Sequence, residues 1–201
     1  MTASMTLARN TDSLETERLL LRRIEPADFG FFARIHADPA VARFIGPGRP
    51  RTAEESDEWL RRTMACYEAC GLGQLAVVRK ADGAVLGRCG LTEFVVEVHA
   101  GPDVPRAWYQ RSDAPPGLAV AVEPELGYTF DQACWGHGYA SEAARRVFDY
   151  AKQALRLPRV VSVIHPDNVA SLRLARRFAL ERDGAVQIRG ATFHRYVWPA
   201  R

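Results

Sequence analysis

The pair Gly136 and Gly138 gives this sequence its clearest indication of a binding site. The two glycines follow a strand-like segment, residues 125–130, and they open an amphipathic helical pattern. Glycines let the main chain turn tightly and expose its N–H groups, and a helix N-terminus adds partial positive charge. The pattern therefore predicts an anion site that can bind a pyrophosphate without a lysine. The alternative is a tight turn whose glycines serve geometry alone, and the short motif does not choose between them.

Composition excludes several other classes of protein. The chain has 201 residues, of which 47% are hydrophobic, which is enough for one sizeable core. The net charge of +3 is small and its basic residues are scattered, so we expect neither a nucleic-acid nor a membrane partner. The start of the chain lacks an apolar run, which favours a cytoplasmic protein. We expect no metal, because metal-ligand spacing is absent around the cysteines and histidines: Cys66, Cys70, Cys89, Cys134, His36, His99 and His194.

The order of the predicted elements indicates an α/β protein. Residues 1–13 are polar and we expect them to be flexible, followed by one domain over residues 14–201. The predicted order is strand, two helices, three strands, helix, strand, helix and a final strand hairpin. Residues 160–164 form an unbroken run of mostly β-branched side chains, which predicts a buried parallel strand. The pattern weakens over residues 95–122, where we expect a long loop that is functional or mobile.

Four motifs in this order carry a resemblance to a known family. They are ETERLLLR at residues 15–22, ELGY at 125–128, WGHGYASEA at 135–143 and NVAS at 168–171. The chain resembles the GCN5-related N-acetyltransferases (GNAT), and within them the branch that acetylates the N-termini of ribosomal proteins. Two positions depart from the pattern. Ala133 stands where Arg or Gln is frequent, with Gln132 beside it, and Ala179 stands where glycine is usual after the last helix.

The resemblance implies a fold and a co-substrate. The fold would be α/β (α+β), with a mixed, mostly antiparallel sheet of about seven strands, splayed between the fourth and fifth, and about four flanking helices. The co-substrate would be acetyl-CoA. Its pantetheine would bind main-chain groups in the splay, and its diphosphate the glycine loop and helix start. The residues so implied are Tyr128, Thr129, Phe130, Trp135, Gly136, His137, Gly138, Tyr139, Ala140, Ser141 and Asn168.

The resemblance also implies catalytic candidates, each with a structural alternative. A hydroxyl near Ser171 lies close to the sulfur in relatives, so Ser171 would hydrogen-bond the leaving thiolate; alternatively it is an ordinary first-turn serine. Asn168 is a catalytic and cofactor candidate, but asparagine is also a preferred helix N-cap. Glu125 could accept the ammonium proton through a water, or it is a solvated strand end. His165 is a base or a packed ring, and the packed ring is favoured.

The acceptor would be a primary amine that attacks the thioester directly. At pH 7 a lysine side chain lies about 4 to 5 kcal/mol from neutrality and an α-amine only about 1, which favours a protein N-terminus or a small amine. Antibiotics and polyamines stay open as acceptors, and so does a non-catalytic acyl-CoA-binding module. A dinucleotide-binding oxidoreductase fits poorly, since Ser141 stands at the third glycine position of that fingerprint. The oligomeric state is open between monomer and homodimer.

Overall fold

The computed structural model describes residues 13–46, 48–98, 106–110, 113–188 and 190–198. Within them nine strands form one sheet with five helices around it. The strands are β1 (Ser13–Glu15), β2 (Leu19–Arg23), β3 (Gln74–Arg79), β4 (Val85–Glu97), β5 (Arg106–Gln110), β6 (Val120–Phe130), β7 (Val160–Ile164), β8 (Glu181–Ile188) and β9 (Ala191–Trp198). The helices are α1 (Phe29–Ala37), α2 (Pro39–Ala42), α3 (Ala53–Cys70), α4 (Tyr139–Gln153) and α5 (Val169–Arg177).

The sheet is mixed and mostly antiparallel, as predicted. Strands β1 to β4 run antiparallel in chain order, and β6 pairs antiparallel with β4 over eleven residue pairs. The parallel neighbours are β6 with β7 and β5 with β8. The predicted splay lies between β6 and β7, which pair only at Glu125 and Val161. The two strands run in the same direction, and their single pair lies near the start of β7. The gap therefore opens toward the carboxyl ends of both strands.

The segment 95–122 is not the loop that its weak pattern predicted. Strand β4 continues to Glu97 and β6 begins at Val120, so the two form one long ribbon. Strand β5 lies between them in the chain and pairs with the end of β4. Pro124 is compatible with β6, since it lies opposite Glu93 without ending the strand. Most of the predicted flexible segment, residues 1–13, lies outside the described residues, and Ser13 already belongs to β1.

Helix α4 anchors the site by packing an apolar stripe on the sheet. Small residues let it approach the strands closely, and Val147 and Phe148 fill the space between. Its buried residues recur with helical spacing, as the sequence pattern predicted: Ala143, Ala144, Val147, Phe148 and Ala151. Helices α1 and α3 cover a second apolar cluster that contains Phe32, Ile35 and Leu60. The gap between β6 and β7 therefore has rigid, packed walls.

Candidate active site

Tyr128 has its main-chain groups directed into the gap. Ser162 of β7 donates a hydrogen bond of 3.0 Å to the Leu126 carbonyl, and the Trp135 indole donates one of 3.0 Å to the Phe130 carbonyl. Main-chain groups alternate in direction along a strand, so the Tyr128 N–H and carbonyl also point toward β7. Thr129 lies opposite Arg88, and its main chain is directed at β4. Of the three residues predicted to hold pantetheine, Tyr128 therefore offers both groups to the gap.

The glycine loop joins the carboxyl end of β6 to α4 and has the predicted geometry. Gly136 has φ +81° and Gly138 φ +82°, the left-handed region that favours glycine. An added Cβ at Gly136 would meet no atom within 4 Å, so the space in front of this turn is open. Helix α4 begins at Tyr139, and the N–H groups of its first turn have no intrahelical acceptor. This concave, N–H-rich turn fits a diphosphate.

Arg18 contacts the main chain of the glycine loop and the first turn of α4. Its guanidinium donates to the His137 carbonyl at 3.2 Å, pairs with Glu142 at 2.6 Å and lies 4.7 Å from the centre of the Tyr139 ring. The His137 ring is exposed and contacts the Trp135 carbonyl at 2.9 Å. At Ala133, a short 3-10 helix (Gln132–Cys134) is capped by Asp131. Arg18 belongs to the motif at residues 15–22, so the fold brings that motif into contact with the loop.

Ser171, Asn168 and Tyr128 meet at the open end of the gap. The Asn168 side-chain oxygen accepts a 3.1 Å hydrogen bond from the Ser171 N–H, so the N-cap role expected for this asparagine is present. Tyr128 and Ser171 line the same cleft; burial raises the pKa of the Tyr128 phenol to about 12, and the Ser171 hydroxyl offsets part of that effect. Sequence reasoning missed the Tyr128 side chain because it considered only its main chain. The surroundings of that phenol come from α5 and β4, which local sequence does not show.

Glu125 lies where β6 leaves β7, on the wall of the cleft. Burial raises the pKa of its carboxyl to about 7, and the N–H of Val163 and the positive charge of Arg88 offset only part of that effect. A carboxyl with this pKa can accept a proton near neutral pH. Glu125 is half-buried and lies inside strand β6, so it does not occupy the strand end that was the alternative for this residue.

A single cleft of about 690 Å³ joins these groups. Strands β4 and β6 form its floor, α3 contributes Trp59 and Thr63, and the β7 end contributes His165. The His165 ring packs between Phe44 and Phe193, with ring centres at 5.2 and 5.5 Å, in agreement with the favoured reading of a packed ring. Arg88 and Gln74 also line the cleft, and sequence reasoning assigned neither of them a role.

In the described part of the chain, no three His, Cys, Asp or Glu residues group in a way that could hold a metal ion. Over the same residues, none of the helices combines the length and apolar character required to cross a bilayer.

Comparison with known proteins identifies the family. The acetyltransferase (GNAT) domain family matches residues 18–181. The chain belongs to the GNAT acetyltransferases. It is 23% identical over 176 residues to the uncharacterized N-acetyltransferase p20 of Bacillus licheniformis, which covers 88% of this chain and 86% of that protein. The resemblance inferred from four motifs is thereby confirmed at the level of the family.

Solved structures share the fold over nearly the whole chain. An acetyltransferase from Agrobacterium tumefaciens superposes with a TM-score of 0.70 at 26% identity, covering 94% of this chain and 95% of that one. RimL, a ribosomal L7/L12 alpha-N-protein acetyltransferase solved in complex with coenzyme A, superposes with a TM-score of 0.68 at 13% identity, covering 93% and 97%. The GNAT fold is thus confirmed, with a RimL-type enzyme among its structural neighbours.

Proposed function

We propose that this acetyltransferase transfers the acetyl group of acetyl-CoA to a protein N-terminal α-amine or to the α-amine of a small molecule. One observation carries the proposal. A carboxyl with a pKa near 7, Glu125, shares a cleft with the hydroxyl pair of Tyr128 and Ser171. The first can take a proton from an ammonium group and the second can hydrogen-bond a leaving sulfur, which are the two proton-handling tasks of the reaction.

Different residues along the gap would bind acetyl-CoA and stabilise the charge that develops during the reaction. Bound acetyl-CoA supplies a thioester whose carbonyl carbon can be attacked by an amine. Of the predicted residues Tyr128, Thr129 and Phe130, Tyr128 would hold pantetheine through its main chain, since the Thr129 main chain faces β4 and the Phe130 carbonyl accepts from Trp135. The Tyr128 N–H would donate to the thioester oxygen as negative charge develops there. The glycine loop would hold the diphosphate: Trp135, Gly136, His137, Gly138, Tyr139, Ala140 and Ser141. Asn168 would fix the position of Ser171.

Two observations support an α-amine as acceptor. The deprotonation cost at pH 7 is about 1 kcal/mol for an α-amine and about 4 to 5 kcal/mol for a lysine side chain, and one carboxylate of pKa near 7 is a base suited to the smaller cost. RimL, which has a similar fold, is named for acetylation of a protein α-amine. A small amine such as an aminoglycoside or polyamine is the alternative acceptor.

The test is an acetyl-CoA consumption assay over N-terminal peptides, amino acids, polyamines and aminoglycosides. We expect turnover with α-amines, with a rate that rises between pH 7 and 8.5. Faster acetylation of lysine side chains than of matched α-amines, with chemistry limiting, would contradict the acceptor assignment. Retained CoA binding without turnover on any amine would instead select a non-catalytic acyl-CoA-binding module.

A further inference from the structure

Arg88 lies in the cleft wall as a cation fixed by neutral groups. It projects from the middle of β4, opposite Thr129 of β6. One terminal nitrogen donates a 2.7 Å hydrogen bond to the side-chain oxygen of Gln74, and the guanidinium lies 5.2 Å from the centre of the Trp59 ring. Gln74 is itself buried, and its side-chain nitrogen donates a 3.0 Å hydrogen bond to the Thr92 hydroxyl, which fixes its orientation. The orientation of the guanidinium is therefore set before any ligand binds.

The charge of Arg88 has no partner carboxylate in the described part of the chain. No Asp or Glu oxygen lies within 4 Å of its nitrogens there, and its Nε is buried without a hydrogen-bond acceptor. Burial lowers the pKa of Arg88 to about 10, and the neighbouring charge of Arg51 adds to that effect. Glu125 acts on it only from a distance, and that carboxyl is itself partly protonated at neutral pH.

Two other arginines of this protein have their charge balanced by carboxylates. The buried Arg195 forms ion pairs with Glu123 and Asp183. Arg62 lines the same cleft as Arg88 and is paired with Glu58 at 2.7 Å and with Asp113 at 3.3 Å. A desolvated charge without a counterion is costly, and guanidinium groups match carboxylates in geometry as well as in charge. The missing counterion is thus a property of the site around Arg88.

The geometry points to an acceptor that carries a carboxylate a few bonds from its amine, with the carboxylate bound by Arg88 and the amine directed toward Glu125. This inference rests on the proposed acetyl transfer and narrows its substrate class. Two sources supply this chemistry: a free α-amino acid, through its own carboxylate, or a peptide whose first residue is acidic. Both place an anion near the amine, and both are distinguishable by assay.

The experiment compares acceptors that differ only in one charge. Alanine is compared with alaninamide, and Asp-Ala-Ala-amide with Asn-Ala-Ala-amide, with kcat/KM expressed per neutral amine. We expect the charged member of one pair to be preferred at least tenfold. Preference within the first pair identifies a free amino acid, and preference within the second identifies an acidic N-terminus. Equal rates within both pairs would overturn the inference while leaving acetyl transfer intact, whereas no turnover with any amine would reject the proposed function itself.

Variants then test whether Arg88 causes the preference for the acceptor that carries the carboxylate. Arg88→Met should abolish it, Arg88→Lys should keep part of it, and Arg62→Met serves as the matched control because Arg62 already has its counterions. CoA affinity and melting temperature check that each variant is folded. A preference that survives in folded Arg88→Met, or a loss that affects both acceptors of a pair equally, would assign Arg88 a structural role. If Arg88→Met does not fold, the ratios of the wild type and of Arg88→Lys decide.

Discussion

Glu125, the proposed base, lies at the point where β6 and β7 separate. Replacing it by glutamine keeps the size of the side chain but removes the base. We expect Glu125→Gln to lower kcat/KM by about 10² to 10⁴, the range typical of a general base. The limb of the pH profile near 7 should disappear in the variant, and CoA affinity should stay unchanged.

If the limb of the pH profile near 7 belongs to Glu125, acceptors with different amine pKa values should share that limb in the wild-type enzyme. A limb that moves with the acceptor amine, together with near-normal activity of Glu125→Gln, would mean that the acceptor arrives neutral and that no enzyme base is needed.

Tyr128 and Ser171 are expected to act as one unit, because both line the cleft and the Ser171 hydroxyl acts on the pKa of the Tyr128 phenol. Each single variant, Tyr128→Phe and Ser171→Ala, should lower kcat by about 10² to 10³, by analogy with the loss of one donor to a developing anion. The double variant should cost little more than the worse single variant. Single-turnover rates measure the chemical step, and unchanged acetyl-CoA affinity separates catalysis from binding. Independent, additive losses would show that the two hydroxyls do not cooperate.

The diphosphate site proposed for the glycine loop depends on the backbone conformation of that loop. Gly138 has φ +82°, and a Cβ there would lie 3.5 Å from the Arg18 guanidinium, an ordinary contact. The cost of Gly138→Ala is therefore the left-handed conformation, about 1 to 2 kcal/mol, which the loop can relieve only by moving its N–H groups. We expect CoA affinity to fall at least tenfold by isothermal titration. Gly83→Ala is the control, because Gly83 has φ +72° and open space but lies in the β3–β4 turn.

The chain leaves helix α5 through a residue with strained backbone, Ala179, at a position where the sequence departs from the family pattern. Ala179 replaces the usual glycine and has φ +53°. Ala179→Gly should raise the free energy of unfolding by about 1 kcal/mol, because glycine adopts this conformation without the clash of a Cβ. Ala65→Gly, on the exposed side of α3, should lower it by about the same amount. Urea denaturation measures both, and destabilisation by Ala179→Gly would contradict the strain.

The elements differ in how far the sequence predicts them. The β3 strand, the turn at Asp82 and Gly83, and the strand–loop–helix unit 125–153 depend on local periodicity and glycine conformation, which are visible in sequence. Strand β5 depends on pairing with β4 and β8, which are distant in the chain, and was missed. The roles of Arg88 and the Tyr128 phenol were missed for the same reason, since each follows from neighbours on other strands and helices.

For the whole molecule, two buried groups give stability opposite dependences on pH. The His36 ring packs against Trp59 with its Nε2 buried and without an acceptor, and burial lowers its pKa from 6.5 to about 3. The unfolded chain therefore binds the extra proton between pH 3 and 6.5, and His36 makes stability fall as pH falls through that window. Glu125 has a raised pKa, so the folded chain holds the extra proton between pH 4.5 and about 7. Its contribution to stability is lost as pH rises.

The two effects nearly cancel in the wild type between pH 4.5 and 6.5, and Glu125→Gln should separate them. Over this window, the free energy of unfolding of the variant minus that of the wild type should rise by about 1 kcal/mol per pH unit. This slope is slightly less than the full linkage slope, because the cleft is partly open to water. The relative gain should level off above pH 7. Other carboxylates titrate equally in both proteins and drop out of the difference, which urea denaturation at several pH values can measure. His36→Gln should show the opposite slope, and a difference that is flat from pH 4.5 to 7 would show that the Glu125 carboxyl is ionised in the folded protein.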